Sequence, residues 1–369
     1  MGYFSVVLLG AALLAGVPAS ADQSPLSNFE RWFAAARARG LTIPAVTLER
    51  VKNYRFAFVG GYRNERMPGY FSQNMGELRA LGIERSRIDL IHPSSSKVWE
   101  ENAEAVRAGF EAIAAKGPEK LVVIAHSRGA CDALAFALAN PGFVRDRVEA
   151  IYLIQGPFGG SGVAEYVLGR GMPTDRRMWR GQRLVASVMG RLARIAASRS
   201  GLGALEGMTR EVSKAFWEKV LRRDAEALAT IGPRVYFIRS QIHPSRQRIF
   251  RRVIAWYQKI YLGPGDGMVE LVDQALPGVG TILGTLEAGH ADLTHRFPAS
   301  GAPPQFRRAL TRSLLMALGE RTLPPSDARA DLGQDAVPEV QPSLQRDSGG
   351  ESGVAPPRPV ATADRIEHP

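Results

Sequence analysis

One short segment of this chain combines a buried strand, a sharp turn and a helix, and this combination strongly restricts the fold. Leu121–Ile124 is an apolar, mostly β-branched run that is typical of a buried strand, and Ala130–Ala139 has the composition of a helix. Between them lies A-H-S-R-G (Ala125–Gly129). Small residues two positions before and two positions after Ser127 allow the strand and helix backbones to approach closely. The segment therefore predicts a tight turn that exposes the Ser127 hydroxyl at the end of a sheet.

Strand-like runs alternate with helical segments along much of the chain. The candidate strands are Tyr54–Val59, Ile88–Ile91, Leu121–Ile124, Ala150–Ile154, Arg234–Ile238 and Thr281–Leu286. Strands that alternate with helices indicate a mainly parallel central sheet with helices on both faces, which is an α/β architecture. At 369 residues, the chain is long enough to bury one sizeable core of this class.

The alternation stops over residues 159–231, which are rich in arginine, helical in pattern and without a clear strand. Leu184, Val188 and Leu192 fall on one face of a helix in this segment. An insertion here would lie over the carboxyl ends of the strands, where open α/β sheets bind their ligands. We therefore predict a helical cap, and both a moving lid and a static cap fit the pattern.

The two ends of the chain differ from its centre. Met1–Ala21 contains an apolar stretch and ends in A-S-A, which is typical of a secretory signal peptide, although the positive charges that usually precede the stretch are missing. An uncleaved N-terminal anchor is the alternative. Residues 323–369 are rich in Pro, Gly, Ser and Asp, a composition that predicts a disordered tail. The expected organisation is a signal peptide (1–21), an α/β domain (22–322) and this tail, in a secreted or periplasmic protein.

Composition limits the classes of function. The net charge is +11, but the basic residues are mostly arginine and are scattered, so the sequence does not favour nucleic-acid binding. Contact with an anionic membrane surface or an envelope polymer stays open. Cys131 is the only cysteine, so the chain cannot form an intramolecular disulfide. Nothing in the sequence indicates the oligomeric state.

Three polar residues occur along the chain in the order of one known arrangement for serine hydrolysis. A serine hydroxyl is a weak nucleophile at neutral pH and needs a base that a third group orients. In that arrangement, which is built on an open α/β sheet, the nucleophile is followed along the chain by an acid and then by a histidine. Ser127 is followed by Asp266, in the glycine-rich sequence G-D-G-M-V, and by His290, directly after the last candidate strand. We predict that these residues are nucleophile, acid and base, and chain order leaves His295 as an alternative base.

The acid has alternative candidates, and the arrangement also requires donors for an oxyanion. Asp273 and Glu287 are the alternatives to Asp266 as the acid. The oxyanion of a tetrahedral intermediate needs two hydrogen-bond donors, and one should be the backbone N–H of Arg128, the residue after the nucleophile. The second donor is expected from the loop after the first strand, at the backbone N–H of Gly61 or Tyr62.

These motifs together resemble the lipase branch of the α/β-hydrolase superfamily, over roughly Tyr54–Leu315. The motifs are A-H-S-R-G around Ser127, I-Q-G-P-F-G-G-S-G-V-A-E-Y-V (Ile154–Val167), G-D-G-M-V around Asp266 and A-G-H-A-D-L around His290. Two positions depart from the lipase pattern. Gly60-Gly61 stands where a His-Gly pair usually opens the oxyanion loop, and Phe158 stands where the lipase segment has a histidine. Some such lipases hold a structural calcium, for which Asp292 alone would be one ligand and not a site.

The residues and the resemblance together imply an exported serine ester hydrolase of the lipase or carboxylesterase kind, with an acyl-enzyme on Ser127. Such chemistry requires no cofactor and no catalytic metal, and its substrate would be a small-molecule or lipid ester. An acyltransferase or a polyester depolymerase with the same three residues is one alternative. A non-catalytic protein of the same fold that binds a lipid or an envelope partner is the other.

Overall fold

The structure, a computed structural model, describes residues 28–97, 99–170, 202–223, 225–247, 249–296 and 302–322. The predicted signal peptide, the predicted tail and the helix face at Leu184, Val188 and Leu192 lie outside the described residues. No helix within the described ranges is long and apolar enough to cross a membrane.

Six strands form one sheet in which every neighbouring pair is parallel. They are β1 (Arg55–Val59), β2 (Ile88–Ile91), β3 (Leu121–His126), β4 (Val148–Ile154), β5 (Val235–Gln241) and β6 (Thr281–Glu287). Their spatial order is β2-β1-β3-β4-β5-β6. The chain therefore adds β2 on one side of β1 and the later strands on the other side, so the direction of winding reverses once, at the neighbouring strands β1 and β3. The predicted strands and their parallel arrangement are confirmed, with ends that shift by a few residues. Ligands of open parallel sheets bind at such a reversal, beyond the carboxyl ends of the strands.

Helices precede, connect and follow the strands. They are α1 (Phe29–Ala38), α2 (Ala45–Val51), α3 (Ser72–Ala80), α4 (Trp99–Ala114), α5 (Arg128–Ala139), α6 (Pro141–Arg147), α7 (Gly162–Val167), α8 (Leu202–Gly207), α9 (Arg210–Arg223), α10 (Ala225–Ile231), α11 (Ile249–Tyr257) and α12 (Gln305–Thr322). A π-helical turn (Gln258–Leu262) follows α11 directly.

Alternate residues of each strand point to opposite faces of the sheet and fill two apolar layers. Val123 of β3 packs in one layer with Phe110 of α4 and Leu134 of α5. Its neighbour Val122 packs in the other layer, which also contains residues of α1 and α12 such as Leu314. Both faces are therefore covered by helices, as the alternation of strands and helices predicts.

The described part of the insertion is helical and is anchored in the core. Trp217 of α9 is 2% exposed and packs on Phe158, with 5.5 Å between ring centroids. Phe158 is the residue that departs from the lipase pattern, and its ring also contacts Phe237 of β5. This aromatic cluster fixes α9 against the sheet, so the position that carries a histidine in lipases serves packing in this chain.

Candidate active site

Ser127 lies at the turn between β3 and α5, with an unusual backbone conformation (φ 57°, ψ −133°). A positive φ is unfavourable for a residue with a Cβ and persists only where the surrounding structure imposes it. Here the flanking strand and helix impose it, and the Ser127 N–H donates to the carbonyl of Ile154 at the end of β4 (2.9 Å). The turn that the sequence predicts is present, and Ser127 lines a cavity at the carboxyl edge of the sheet.

The small residues around Ser127 have an identifiable steric reason. A Cβ added at Gly129 would lie 2.3 Å from the carbonyl oxygen of Gly60, in the loop after β1. A Cβ added at Gly61 would lie 2.8 Å from the Cβ of Ser127 itself. The loop after β1 therefore packs directly against the turn, at a distance that only glycine permits.

His290 follows β6 and reaches the nucleophile candidate. Its Nε2 lies 2.8 Å from Ser127 Oγ, and its Nδ1 lies 2.8 Å from Asp266 Oδ2. The His290 backbone N–H also donates to the Asp266 carbonyl oxygen (2.9 Å), which ties the two loops together. Since an ionised carboxylate only accepts hydrogen bonds, Nδ1 carries the proton, and Nε2 is left to accept the proton of the serine hydroxyl.

Asp266 is fully buried in the loop after β5 and α11. Its Oδ1 accepts hydrogen bonds from the backbone N–H groups of Met268 (2.9 Å) and Val269 (2.8 Å). These bonds use one carboxylate oxygen and direct the other to the His290 ring. The glycines on either side of Asp266 allow this tight loop, as Gly267 has a φ of 96°.

The alternative candidates for the base and the acid have other partners. The ring of His295 packs at a tilt against that of Tyr70, with 4.0 Å between centroids, and burial lowers the pKa of His295 to about 3. Asp273 faces Arg210 (3.8 Å), and Glu287 is a half-exposed partner of Arg246. The structure thus brings together the first choice for each of the three roles.

The candidate oxyanion donors differ in their contacts. Arg128 is the first residue of α5, so its N–H belongs to the helix turn whose amides have no intrahelical acceptor. The Gly61 N–H, in contrast, donates to the hydroxyl oxygen of Tyr70 (2.9 Å). This bond to a buried hydroxyl occupies the Gly61 amide in the described structure. Tyr62, the next residue, lines the cavity and is the donor that we retain from this loop.

Sequence reasoning missed two residues that support the site. Tyr70 Oη lies 2.5 Å from His126 Nδ1, and His126 Nε2 lies 2.8 Å from the backbone oxygen of His290. The carbonyl oxygen can only accept, so Nε2 carries the His126 proton and Tyr70 donates to Nδ1. Burial lowers the pKa of His126 well below its usual value, which keeps the ring neutral. No local pattern indicates Tyr70, since only the folded chain brings it to His126.

The cavity beside Ser127 has a volume of about 280 Å³ and is mainly apolar. Its apolar walls include Met67, Val163, Val167, Leu205, Met208 and Ile254. Two cationic side chains, Arg63 and Arg251, also line it. Leu205 and Met208 come from the described part of the insertion, so the cap region contributes directly to this cavity.

Asp292 holds the loop of the base rather than facing other carboxylates. Its Oδ2 accepts the backbone N–H of Gly289 (2.8 Å), one residue before His290. Among the described residues, no group of three or more His, Cys, Asp or Glu side chains is arranged to hold a metal ion.

Comparison with known proteins gives results at the level of the fold. No protein-family model matches the chain, and no curated protein sequence matches it. The crystal structure of a metagenomic carboxyl esterase is 19% identical, with a TM-score of 0.53 over 73% of this chain and 76% of that chain. A Bacillus licheniformis lipase in its mature form is 17% identical, with a TM-score of 0.46 over 64% of this chain and 84% of that chain. Lipase 1 from Pelosinus fermentans is 11% identical, with a TM-score of 0.40 over 71% of this chain and 98% of that chain.

The chain has the α/β-hydrolase fold. The likeness to the carboxyl esterase structure and the six parallel strands with helices on both faces establish this. The fold that the sequence motifs imply is therefore confirmed.

Proposed function

We propose that this protein is a serine ester hydrolase of the lipase or carboxylesterase kind. The observation that carries the proposal is the continuous contact from Ser127 Oγ through the His290 ring to Asp266, with both hydrogen-bond distances at 2.8 Å. Nucleophile, base and orienting acid within hydrogen-bond reach of each other are the arrangement that activates a serine hydroxyl. The strained turn at Ser127 and the apolar cavity beside it support the same function.

The proposed reaction begins when Ser127 Oγ attacks the ester carbonyl carbon and His290 Nε2 takes the hydroxyl proton. Asp266 stabilises the imidazolium that forms, and the N–H groups of Arg128 and Tyr62 donate to the oxyanion. The bond between the carbonyl carbon and the alcohol oxygen then breaks, and His290 returns its proton to the leaving alcohol. Water attacks the resulting acyl-enzyme with His290 again as base, which releases the acid and restores Ser127.

The cavity supports an ester with an acyl chain as the substrate. Its walls bury apolar groups, and each CH₂ removed from water contributes about 0.8 kcal/mol. A volume of about 280 Å³ admits a chain of medium length rather than a long one in the described conformation. We therefore expect kcat/KM to rise from acetyl to hexanoyl or octanoyl esters, if the chain contacts are also made in the transition state.

A fluorophosphonate probe tests the proposal directly. The wild type should be labelled, with the modification mapped by mass spectrometry to Ser127, and Ser127→Ala should lose both labelling and ester hydrolysis. Ser161→Ala is the matched control because Ser161 lines the same cavity, and it should still be labelled. Absence of labelling and of hydrolysis in folded wild-type protein would leave a non-catalytic lipid-binding protein in place of an enzyme.

We also propose that the protein is exported. The support is the apolar stretch and the A-S-A sequence within residues 1–21, which precede the described residues. Hydrolysis of lipid or envelope esters would then take place outside the cytoplasm.

A further inference from the structure

Two arginines line the cavity beside Ser127, and their charges stand out in an otherwise apolar site. Arg63 lies in the loop after β1, and Arg251 lies in α11. They therefore come from separate segments of the chain and line the same cavity as Ser127 and His290.

Some shielded arginines of the described chain pair with a carboxylate, as Arg55 does with Glu119 (3.0 Å), and others donate to backbone carbonyls, as Arg128 does. Within the described residues, no carboxylate oxygen lies within 4.0 Å of the guanidinium of Arg63 or Arg251. A guanidinium that is removed from water loses hydration, and without an anionic partner only neutral hydrogen-bond acceptors compensate for part of that loss.

The contacts of Arg63 strengthen this observation. Its Nε is buried and has no hydrogen-bond partner in the described part of the chain. Its backbone has a φ of 62°, in the left-handed region, and its N–H donates to Ser95 Oγ (2.5 Å). A non-glycine residue is held in this conformation only at an energetic cost. The surrounding structure thus maintains an arginine at the cavity wall with unsatisfied hydrogen-bonding capacity.

Arg251 has two acids in its surroundings, but both have other partners. Burial lowers the pKa of its guanidinium, and the charges of Asp292 and Asp266 only partly oppose this effect. Asp266 bonds to His290, and Asp292 accepts the Gly289 amide. Arginine still stays protonated near neutral pH, so Arg251 brings a positive charge to the cavity.

We propose that Arg63 and Arg251 bind an anionic group of the substrate, so that the preferred ester combines an acyl chain with a phosphate or a carboxylate. This inference rests on the proposed ester hydrolysis at Ser127. The planar guanidinium donates two parallel hydrogen bonds to either anion, whereas the apolar walls bind the acyl chain. The net charge of +11 further attracts such substrates to the protein.

Matched pairs of esters test the inference. The first pair is 1-octanoylglycerol 3-phosphate and 1-octanoylglycerol, which differ only in a phosphate on the alcohol side. The second pair is the mono-4-nitrophenyl ester of suberic acid and 4-nitrophenyl octanoate, which differ in a carboxylate at the end of the acyl chain. The readout is the ratio of kcat/KM for the anionic ester to that for the neutral ester, which does not depend on the amount of active enzyme.

The wild type should give a ratio well above one for one pair, and that pair identifies the anion. Arg63→Gln and Arg251→Met should each lower this ratio by roughly tenfold, the size expected for one charged hydrogen bond. Arg63→Lys, which shares the backbone strain of Arg63→Gln but keeps the charge, should retain more of the preference. Arg79→Met removes an exposed arginine of α3 and should leave the ratio unchanged.

A wild-type ratio of one or less for both pairs would overturn the inference, and so would ratios that neither cavity variant changes. Neutral esters would still be hydrolysed in that case, and the proposed function would stand.

Binding of hexyl phosphate to the Ser127→Ala protein, measured by calorimetry against hexanol, tests the anion site without catalysis. Hexyl phosphate should bind more tightly than hexanol and lose roughly tenfold in affinity with Arg63→Gln. Equal binding of the two probes would reject the anion site even if no ester were hydrolysed.

Discussion

The Tyr70 hydroxyl lies 2.5 Å from His126 Nδ1 and accepts the Gly61 N–H at 2.9 Å. His126 in turn donates from Nε2 to the backbone oxygen of His290. One chain of buried hydrogen bonds therefore joins the loop after β1, the residue before the nucleophile and the loop of the base. Because each of these groups is shielded from water, loss of one donor leaves its acceptor unsatisfied.

Tyr70→Phe should lower kcat by roughly tenfold and change KM much less. The ring still fills its site, but the Gly61 amide and His126 Nδ1 both lose their partner, so the loops that orient His290 relax. Tyr152→Phe is the matched control, because this buried hydroxyl donates to the carbonyl of Leu314, in the apolar layer that contains Val122. Steady-state kinetics and thermal unfolding of both variants separate an effect on catalysis from an effect on the stability of the fold. Equal kcat in both variants at similar stability would show that Tyr70 only supports the fold.

The base and the acid are distinguished by three substitutions. His290→Ala should reduce kcat about as much as Ser127→Ala, because residues that act as one catalytic unit are strongly non-additive. Asp266→Asn should leave more activity, and His295→Ala should leave the most, since the His295 ring contacts Tyr70 rather than Ser127. Initial rates with one octanoyl ester give the order of the three variants. Inactivation by His295→Ala alone would contradict the assignment of the base.

The fold and the three central residues were accessible from sequence because their signals are local. Each strand is a short apolar run between polar turns, and Ser127, Asp266 and His290 follow strands in the order that the fold requires. The position of His290 directly after the last candidate strand also favoured it over His295, and the contact with Ser127 supports this choice.

The supporting contacts were not accessible in the same way. Tyr70 lies in a loop without periodicity, and its bond to the Gly61 amide depends on the packing of two distant loops. The unpaired charges of Arg63 and Arg251 are equally invisible in sequence, since scattered arginines are usually solvated. Such features require knowledge of which side chains lack a partner, and only coordinates provide it.

Export should produce a mature N-terminus at Asp22. The A-S-A sequence places small residues at the positions that signal peptidase recognises before this residue. Mass spectrometry of protein from the envelope or medium of a bacterial host should find that terminus, and Ala21→Pro should block cleavage. Full-length protein that stays in the cytosol with Met1 intact would contradict export.

Gly129→Ala should destabilise the turn or prevent folding. The added methyl group would lie 2.3 Å from the Gly60 carbonyl oxygen, so the loop after β1 or the first turn of α5 must move. Overpacking of this kind typically costs about 1–3 kcal/mol, and the displaced loop carries Tyr62, the oxyanion donor that we propose. Gly142→Ala in α6 is the control, because an added Cβ meets no atom within 4 Å there. Denaturant unfolding and kcat should separate the two variants, and equal behaviour would show that the contact relaxes freely.

Asp132 of α5 should make the protein less stable as the pH rises from about 4 to about 7. The carboxyl group is 1% exposed, Asn102 donates to its Oδ2 (3.3 Å), and its Oδ1 has no partner in the described chain. Burial raises its pKa to about 7, against an opposing effect of the Arg128 charge. The unfolded chain has a value of about 3.9. Between these two values the folded state binds the proton more tightly than the unfolded state does. The stabilising contribution of the protonated group is therefore complete below about pH 4 and is lost as the pH approaches 7.

Asp132→Asn should remove this loss, because the amide keeps an acceptor for Asn102 and does not ionise. The advantage of Asp132→Asn over the wild type in free energy of unfolding should be larger at pH 8 than at pH 5. The increase should be on the order of 2–4 kcal/mol, from about 1.4 kcal/mol per pKa unit. Asp146→Asn removes an exposed carboxylate beside Arg145 and is the matched control, which should not change the pH dependence in this range. Urea unfolding of wild type and both variants at pH 5, 6, 7 and 8 measures the slopes directly. An identical slope for wild type and Asp132→Asn would mean that the buried carboxyl group ionises near its ordinary pKa, stabilised by Arg128.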